Sequence, residues 1–310
     1  MDLIFFIFGT AILVLSGDLL VRAAVDLSLK MAISPMIVGL TVIAFGTSAP
    51  ELLVGVQATW NGFGGLALGN IIGSNVTNVL LILGVPSLIV AVKSSDKGLI
   101  QNYFYMLSAT LLFSVFLFFG EINFWQGIFL VFLLILFILQ ALFYNKHSKE
   151  NLIATEVDKE RNNLNSWTLI AFWIFGFIGL PLGAHIVITS AVKLAESIGV
   201  SHEVIGLTVV AIGTSLPELA TSVAAAYRRQ INLLLGNVIG SNMFNILGIA
   251  GAAALIGPLQ LTDKVGVTSL ASLLASSLIL SPFIIYQKSI KRGIGVLFLV
   301  IYLIYIILLF

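Results

Sequence analysis

Glu51 and Glu218 are the residues from which this sequence is best read. Each lies inside a long apolar stretch, and each closes the same short pattern: Gly46-Thr47-Ser48-Ala49-Pro50-Glu51 and Gly213-Thr214-Ser215-Leu216-Pro217-Glu218. A carboxylate at the centre of a membrane helix costs roughly 2.5–3.5 kcal/mol on insertion scales, so the pair costs on the order of 5–7 kcal/mol. A buried base could offset that charge, but neither stretch carries a lysine or arginine at mid-length; Arg228 and Arg229 fall at an end. The remaining counter-charge is a cation that comes and goes.

The residues around the glutamates supply oxygen. Pro50 and Pro217 lack an N–H, so the carbonyls of Gly46 and Gly213 lose their helical partners. Thr47, Ser48, Thr214 and Ser215 add hydroxyls beside the break. Exposed carbonyls at membrane depth are tolerated only where protein, water or an ion satisfies them. A second pattern, GNxxGSN, places Asn70, Ser74 and Asn78 at i, i+4 and i+8, one polar stripe along a helix. Asn237, Ser241 and Asn245 repeat it. Ser74, Asn78, Ser241 and Asn245 are expected to line a site, whereas Asn70, Asn75, Asn237 and Asn242 fit interhelical hydrogen bonding equally well. Gly69, Gly73, Gly236 and Gly240 would let the stripe approach the glutamate-bearing helices closely. Carboxylates, hydroxyls, amides and carbonyls are hard donors that suit calcium, sodium or magnesium. Calcium accepts six to eight oxygens in irregular geometry, while magnesium dehydrates reluctantly.

The elements that must hold these residues are membrane helices. Of 310 residues, 59% are hydrophobic and 9% charged, with mean hydropathy +1.11. A soluble domain carries roughly 25% charged residues, so the chain belongs in a bilayer. Net charge is +1 and the basic residues are scattered, which argues against a nucleic-acid partner; no protein partner is inferred. There is no cysteine, hence no disulfide framework. Spans of about 20 apolar residues are expected near 3–22, 34–59, 66–91, 100–119, 122–144, 167–192, 204–227, 233–257, 265–286 and 293–310. With both termini outside, Arg22, Lys30, Lys93, Lys97, Lys146, Lys149, Lys159, Arg161, Arg228, Arg229, Lys288, Lys291 and Arg292 all fall on the cytoplasmic side, together with the central loop. Only Lys193 and Lys264 fall outside, a strong positive-inside asymmetry.

The two halves repeat each other. Shifted by 167, residues 38–84 align without gaps on 205–251 with 25 of 47 positions identical, and the matches concentrate on Gly, Thr, Ser, Pro, Glu and Asn rather than on interchangeable aliphatics. Five spans per half require the second half to be inserted upside down. The expected fold is therefore an all-α membrane protein of ten helices in two inverted five-helix repeats, 1–144 and 167–310, joined by a cytoplasmic linker, 145–166. That is the plan of secondary transporters, with the site at the repeat interface.

GTSAPE (Gly46–Glu51), GTSLPE (Gly213–Glu218), GNIIGSN and GNVIGSN resemble the alpha repeats of the cation/calcium exchanger superfamily, and its prokaryotic sodium/calcium exchanger branch most closely. The resemblance implies a sodium/calcium antiporter of a prokaryotic cell membrane, with Ca2+ and Na+ as transported ions and no cofactor. Carried over by position, the ion ligands are Thr47, Ser48, Glu51, Ser74 and Asn78, then Thr214, Ser215, Glu218, Ser241 and Asn245, with the carbonyls of Ala44 and Ala211 contacting sodium. It also implies three sodium ions per calcium. In several exchangers the position of Asn245 is aspartate. Two glutamates balance one calcium ion, whereas three sodium ions leave one excess positive charge, so exchange would respond to voltage by about 2.3 kcal/mol per charge per 100 mV.

The alternative of the same fold is a proton/calcium, or other cation/proton, antiporter, because protons could compete at the same carboxylates. A passive channel fits poorly with inverted repeats around one central charge cluster. An intramembrane enzyme would need a zinc-ligand set, a cysteine nucleophile or paired aspartates, and the chain is read as a transporter. Asp18 and Arg22 are spaced for a local ion pair. His202-Glu203 begins like a zinc-protease motif but has Gly206 where the second histidine belongs, and His185 is read as a helix residue without a ligand role.

Overall fold

The computed structural model describes residues 1–94, 96, 98–146, 164–198, 211–261 and 264–308. Helix α1 (Asp2–Met31) and helix α7 (Ser166–Ser197), of 30 and 32 residues, run against each other over most of their length. Small residues make the approach possible: a Cβ on Gly183 would lie 2.9 Å from the backbone nitrogen of Leu13. The predicted ion pair of Asp18 and Arg22 forms at 3.1 Å, and Asp18 also holds Arg228 from a distant element.

Helix α2 (Pro35–Thr47) starts on Ser34, whose hydroxyl accepts the Met36 N–H, with Pro35 at its first position. It contains a wide, π-helical turn at Gly39–Ile43 and ends at Ser48. Helix α3 (Ala49–Trp60) leaves at 46° to it, with Pro50 in its first turn. The proline that has no N–H to donate thus begins a new helix instead of interrupting one. Helix α4 (Gly64–Ile89), α5 (Leu99–Phe119) and α6 (Phe124–Lys146) follow.

The second half repeats the break. A helical turn, Ala211–Gly213, gives way at Thr214-Ser215 to α8 (Leu216–Tyr227), with Pro217 in its first turn. The backbone angles of Ser48 (φ −85, ψ 8) and Ser215 (φ −91, ψ 7) are nearly the same. Helix α9 (Ile231–Ala254) carries its own π-helical turn at Phe244–Ile249. Helix α10 (Lys264–Ile279), the short α11 (Ser281–Ile285) and α12 (Arg292–Leu308) complete the chain.

Among the described residues seven helices are long and apolar enough to cross a bilayer, eight when α2 and α3 count as one bent span, and α12 is a shorter apolar helix. The protein is an integral membrane protein. The span expected at 204–227 is described only from residue 211, and His202-Glu203 lie outside the described residues. Helices α4 and α9, which carry the polar stripes, form the centre: α9 is buried throughout its apolar window and α4 for 72% of it, against 28% for α6 and α7. The outer helices present Leu, Ile, Val and Phe to their surroundings, and Trp60, Trp125 and Trp167 are exposed near helix ends, as expected at a membrane interface.

Two isolated antiparallel β-bridges, Val92–Ile290 and Ile122–Leu259, tie loops of one half to loops of the other. Val92 shifted by 167 is Leu259, and Ile122 shifted by 168 is Ile290, so the internal repeat exchanges one bridge for the other. Helix packing follows the same rule: α4 lies against α12, and the related α9 lies against α6.

Candidate ion-binding site

The helix breaks place Glu51 and Glu218 as third residues of α3 and α8, in the first turn, where the positive end of the helix dipole favours a carboxylate. Both are buried to 1% exposure. Among the described residues neither forms an ion pair with a lysine or arginine. Arg228 is committed to Asp18, as is Arg22. His185 is exposed on α7.

Three contacts join the halves across the centre. Ser48 Oγ donates to Glu218 Oε1 at 2.9 Å. Thr47 Oγ1 lies 3.5 Å from Asn237 Oδ1, while it also approaches Ile43 O at 3.1 Å. Asn78 Nδ2 donates to Asn242 Oδ1 at 2.9 Å. The carbonyl of Ala44 accepts from Ser48 N at 3.0 Å, and Ala211 opens the helical turn before the second break. Ser215 stands beside Glu51 in the position related to Ser48 and Glu218.

Glu51 Oε2, Glu218 Oε2, Asn78 Oδ1, Asn245 Oδ1, Thr214 Oγ1, Ser215 Oγ and Ser241 Oγ are buried without a hydrogen-bond partner. Each of these seven belongs to a residue singled out from the sequence, while Asn75 Oδ1, Gln140 Oε1 and Ser277 Oγ are unsatisfied as well. Leaving one such group unsatisfied costs roughly 1–3 kcal/mol, and native proteins keep only a few per hundred residues. These are hard oxygen donors, of the type a calcium or sodium ion takes. Ser74 is buried on the same helix as Asn78. Among the described residues no group of three or more His, Cys, Asp or Glu gathers.

The four asparagines left open by the sequence all make protein hydrogen bonds. Asn70 donates to Glu51 O at 3.5 Å, Asn75 to Ile71 O at 2.6 Å, Asn237 to Thr221 Oγ1 and Ser222 Oγ at 3.3 Å each, and Asn242 to Met106 Sδ at 3.6 Å. Thr221, Ser222 and Met106 were not legible as neighbours of the site; Thr221 and Ser222 follow Glu218 by three and four residues, the spacing of one helix face. The glycine expectation holds in the second half. A Cβ on Gly236 would meet Met36 O at 2.3 Å and one on Gly240 would meet Leu40 O at 2.4 Å, so α9 lies directly on the backbone of α2. The counterparts of Met36 and Leu40, positions 203 and 207, lie outside the described residues.

The sodium/calcium exchanger protein family model matches residues 1–143 and 168–310. The sodium/calcium exchanger MaX1 of Methanosarcina acetivorans is 31% identical over 97% of this chain and 96% of its own length. The inner membrane protein YrbG of Escherichia coli is 32% identical over 94% of this chain and 91% of its own. Among solved structures, the sodium-calcium exchanger NCX_Mj superposes with a TM-score of 0.86 at 32% identity, covering 100% of this chain and 99% of the other. With both halves matched by the family model and the break, stripe and oxygen cluster present in each, the chain is a member of the sodium/calcium exchanger family.

Proposed function

We propose that this membrane antiporter exchanges sodium for calcium by alternating access, and that its ions bind between Glu51 and Glu218. Ten spans in two inverted five-helix repeats, 1–144 and 167–310, with 145–166 as a cytoplasmic linker and both termini outside, form the frame of this reading. The exchange of the two β-bridges under the repeat and the matching breaks at Ser48 and Ser215 support it.

The observation that carries the proposal is the pair of buried carboxylates without a basic partner among the described residues, together with the unsatisfied buried oxygens that both halves contribute. In this reading Thr47, Ser48, Ser74, Asn78, Thr214, Ser215, Ser241 and Asn245 complete the cage, with the carbonyls of Ala44 and Ala211 contributing to sodium. Two negative charges are neutralised by one calcium ion, so the loaded site can be carried through a low-dielectric interior without a net charge. Sodium ions replace calcium at the same oxygens, and the mutual exclusion couples the two fluxes.

The test is calcium uptake into proteoliposomes loaded with sodium. Uptake that follows an outward sodium gradient and stops when the gradient is dissipated supports sodium coupling. Uptake driven by a pH gradient without sodium overturns it in favour of proton coupling at the same site.

A further inference from the structure

We propose that a cleft at one rim of the helix bundle binds the phosphodiester headgroup of an anionic phospholipid. The cleft encloses about 280 Å³ where the loop between α4 and α5 meets the loop between α11 and α12. At about 30 Å³ per water in the liquid, this volume corresponds to roughly nine water molecules, room for a headgroup. Val92, Leu99, Phe283 and Ile290 form apolar walls, and Lys93 and Lys288 stand among the lining residues.

Both lysines are exposed, and neither forms an ion pair among the described residues. The acidic residue in the wall, Asp96, does not pair with them, because one of its oxygens accepts the Gly98 N–H at 2.8 Å and the other is hydrogen-bonded by the Ser34 hydroxyl. Lys288 instead lies 5.9 Å from the centre of the Tyr286 ring. Two uncommitted cations beside apolar walls at the ends of membrane helices match an anionic headgroup whose chains run on into hydrocarbon. Ile285 and Tyr286, next in the chain after the lining Ile284, are exposed and provide an apolar surface for those chains.

The internal repeat supplies a comparison within the molecule. The cleft is built on the Val92–Ile290 bridge, and the related bridge, Ile122–Leu259, is flanked by Glu121 and Gln260, which hydrogen-bond to each other. The position of Lys93 is taken there by Gln260. The lysines are therefore not a requirement of the shared architecture; they belong to one face alone. A free phosphate ion shares the headgroup's chemistry but gains nothing from the apolar walls.

The experiment is native mass spectrometry of the detergent-solubilised full chain titrated with phosphatidylglycerol, phosphatidylcholine or glycerol phosphate. The expected result is tighter retention of phosphatidylglycerol than of phosphatidylcholine, with no retention of glycerol phosphate at the same concentration. The double variant K93Q/K288Q weakens phosphatidylglycerol binding roughly thirty-fold, at about 1 kcal/mol per lysine, and leaves phosphatidylcholine unchanged. K193Q, on the exposed face of α7, leaves both lipids unchanged. Calcium uptake by the double variant in phosphatidylcholine vesicles reports that it is folded. Equal retention of the two lipids by the parent chain, or undiminished phosphatidylglycerol binding by a folded double variant, overturns the proposal. Glycerol phosphate that displaces phosphatidylglycerol at equal concentration overturns the lipid assignment in favour of a free anion.

Discussion

Ser48 Oγ donates to Glu218 Oε1 across 2.9 Å, so a hydroxyl at the break in one half steadies the carboxylate at the break in the other. In the related pair Ser215 stands beside Glu51. A hydrogen bond to a charged acceptor contributes roughly 1.5–3 kcal/mol. Ser48→Ala is expected to raise the calcium concentration for half-maximal uptake roughly tenfold or more, and Ser215→Ala to raise it as well. Calcium titrations of exchange in proteoliposomes compare the two.

Replacing either buried carboxylate removes half the charge available to a divalent ion. Glu51→Gln and Glu218→Gln are each expected to reduce calcium transport at least about a hundredfold, since breaking a buried charge pair costs about 3–5 kcal/mol. Both variants should remain inserted and folded, because no lysine or arginine is stranded by the change. Gel filtration in detergent checks the fold and radioactive calcium uptake checks the flux; near-normal flux in both removes the basis for the site.

Asn245 sits on the π-helical turn of α9, a geometry that recurs at functional positions. Asn245→Asp adds a third carboxylate to the cage. It is expected to preserve transport while changing the sodium dependence and shifting the charge movement from the sodium-loaded to the calcium-loaded half of the cycle, because three sodium ions then neutralise the site and one calcium ion leaves it negative. Currents recorded on protein-loaded supported membranes report the sign; a folded variant without activity counts against the assignment.

Asn242 fixes which end of the Asn78 amide faces the cage. Its Oδ1 takes the Asn78 Nδ2 hydrogen, so Asn78 Oδ1 is left as a free acceptor. Asn242→Ala is expected to weaken calcium binding several-fold without altering its maximal transport rate. The Asn78→Ala, Asn242→Ala double variant should be little worse than Asn78→Ala alone, since neighbours acting through one group are not additive. Additive losses would show that Asn242 acts on its own.

Much of the site was readable because membrane burial makes polar residues conspicuous. Glu51, Glu218 and the stripes at i, i+4 and i+8 stand out against apolar surroundings, and their duplication at a constant shift separates function from chance. The breaks at Ser48 and Ser215 followed from Pro50 and Pro217, although each proline opens a new helix where a simple kink would also have satisfied the pattern. The Asp18–Arg228 pair was not legible, since 210 positions separate the partners and only tertiary packing joins them. Nor was the π-helical turn at Phe244–Ile249, because the aligned segment 77–82 is α-helical and none of the three differences there, Thr77/Phe244, Val79/Ile246 and Leu81/Gly248, specifies a widened turn. The roles of Asn70, Asn75, Asn237 and Asn242 depended on rotamers and neighbours that no spacing encodes.

The interchange of the Val92–Ile290 and Ile122–Leu259 bridges bears on how the exchanger runs in time. In the inverted arrangement proposed above, a machine assembled from one blueprint used twice has no ratchet: its forward and reverse cycles pass through equivalent shapes, and the ion gradients decide which prevails. Any preference for one direction must be written into places where the copies differ, and the widened turn at Asn245 against the regular one at Asn78 is one of them. Such positions are where a kinetic bias would be engineered or erased.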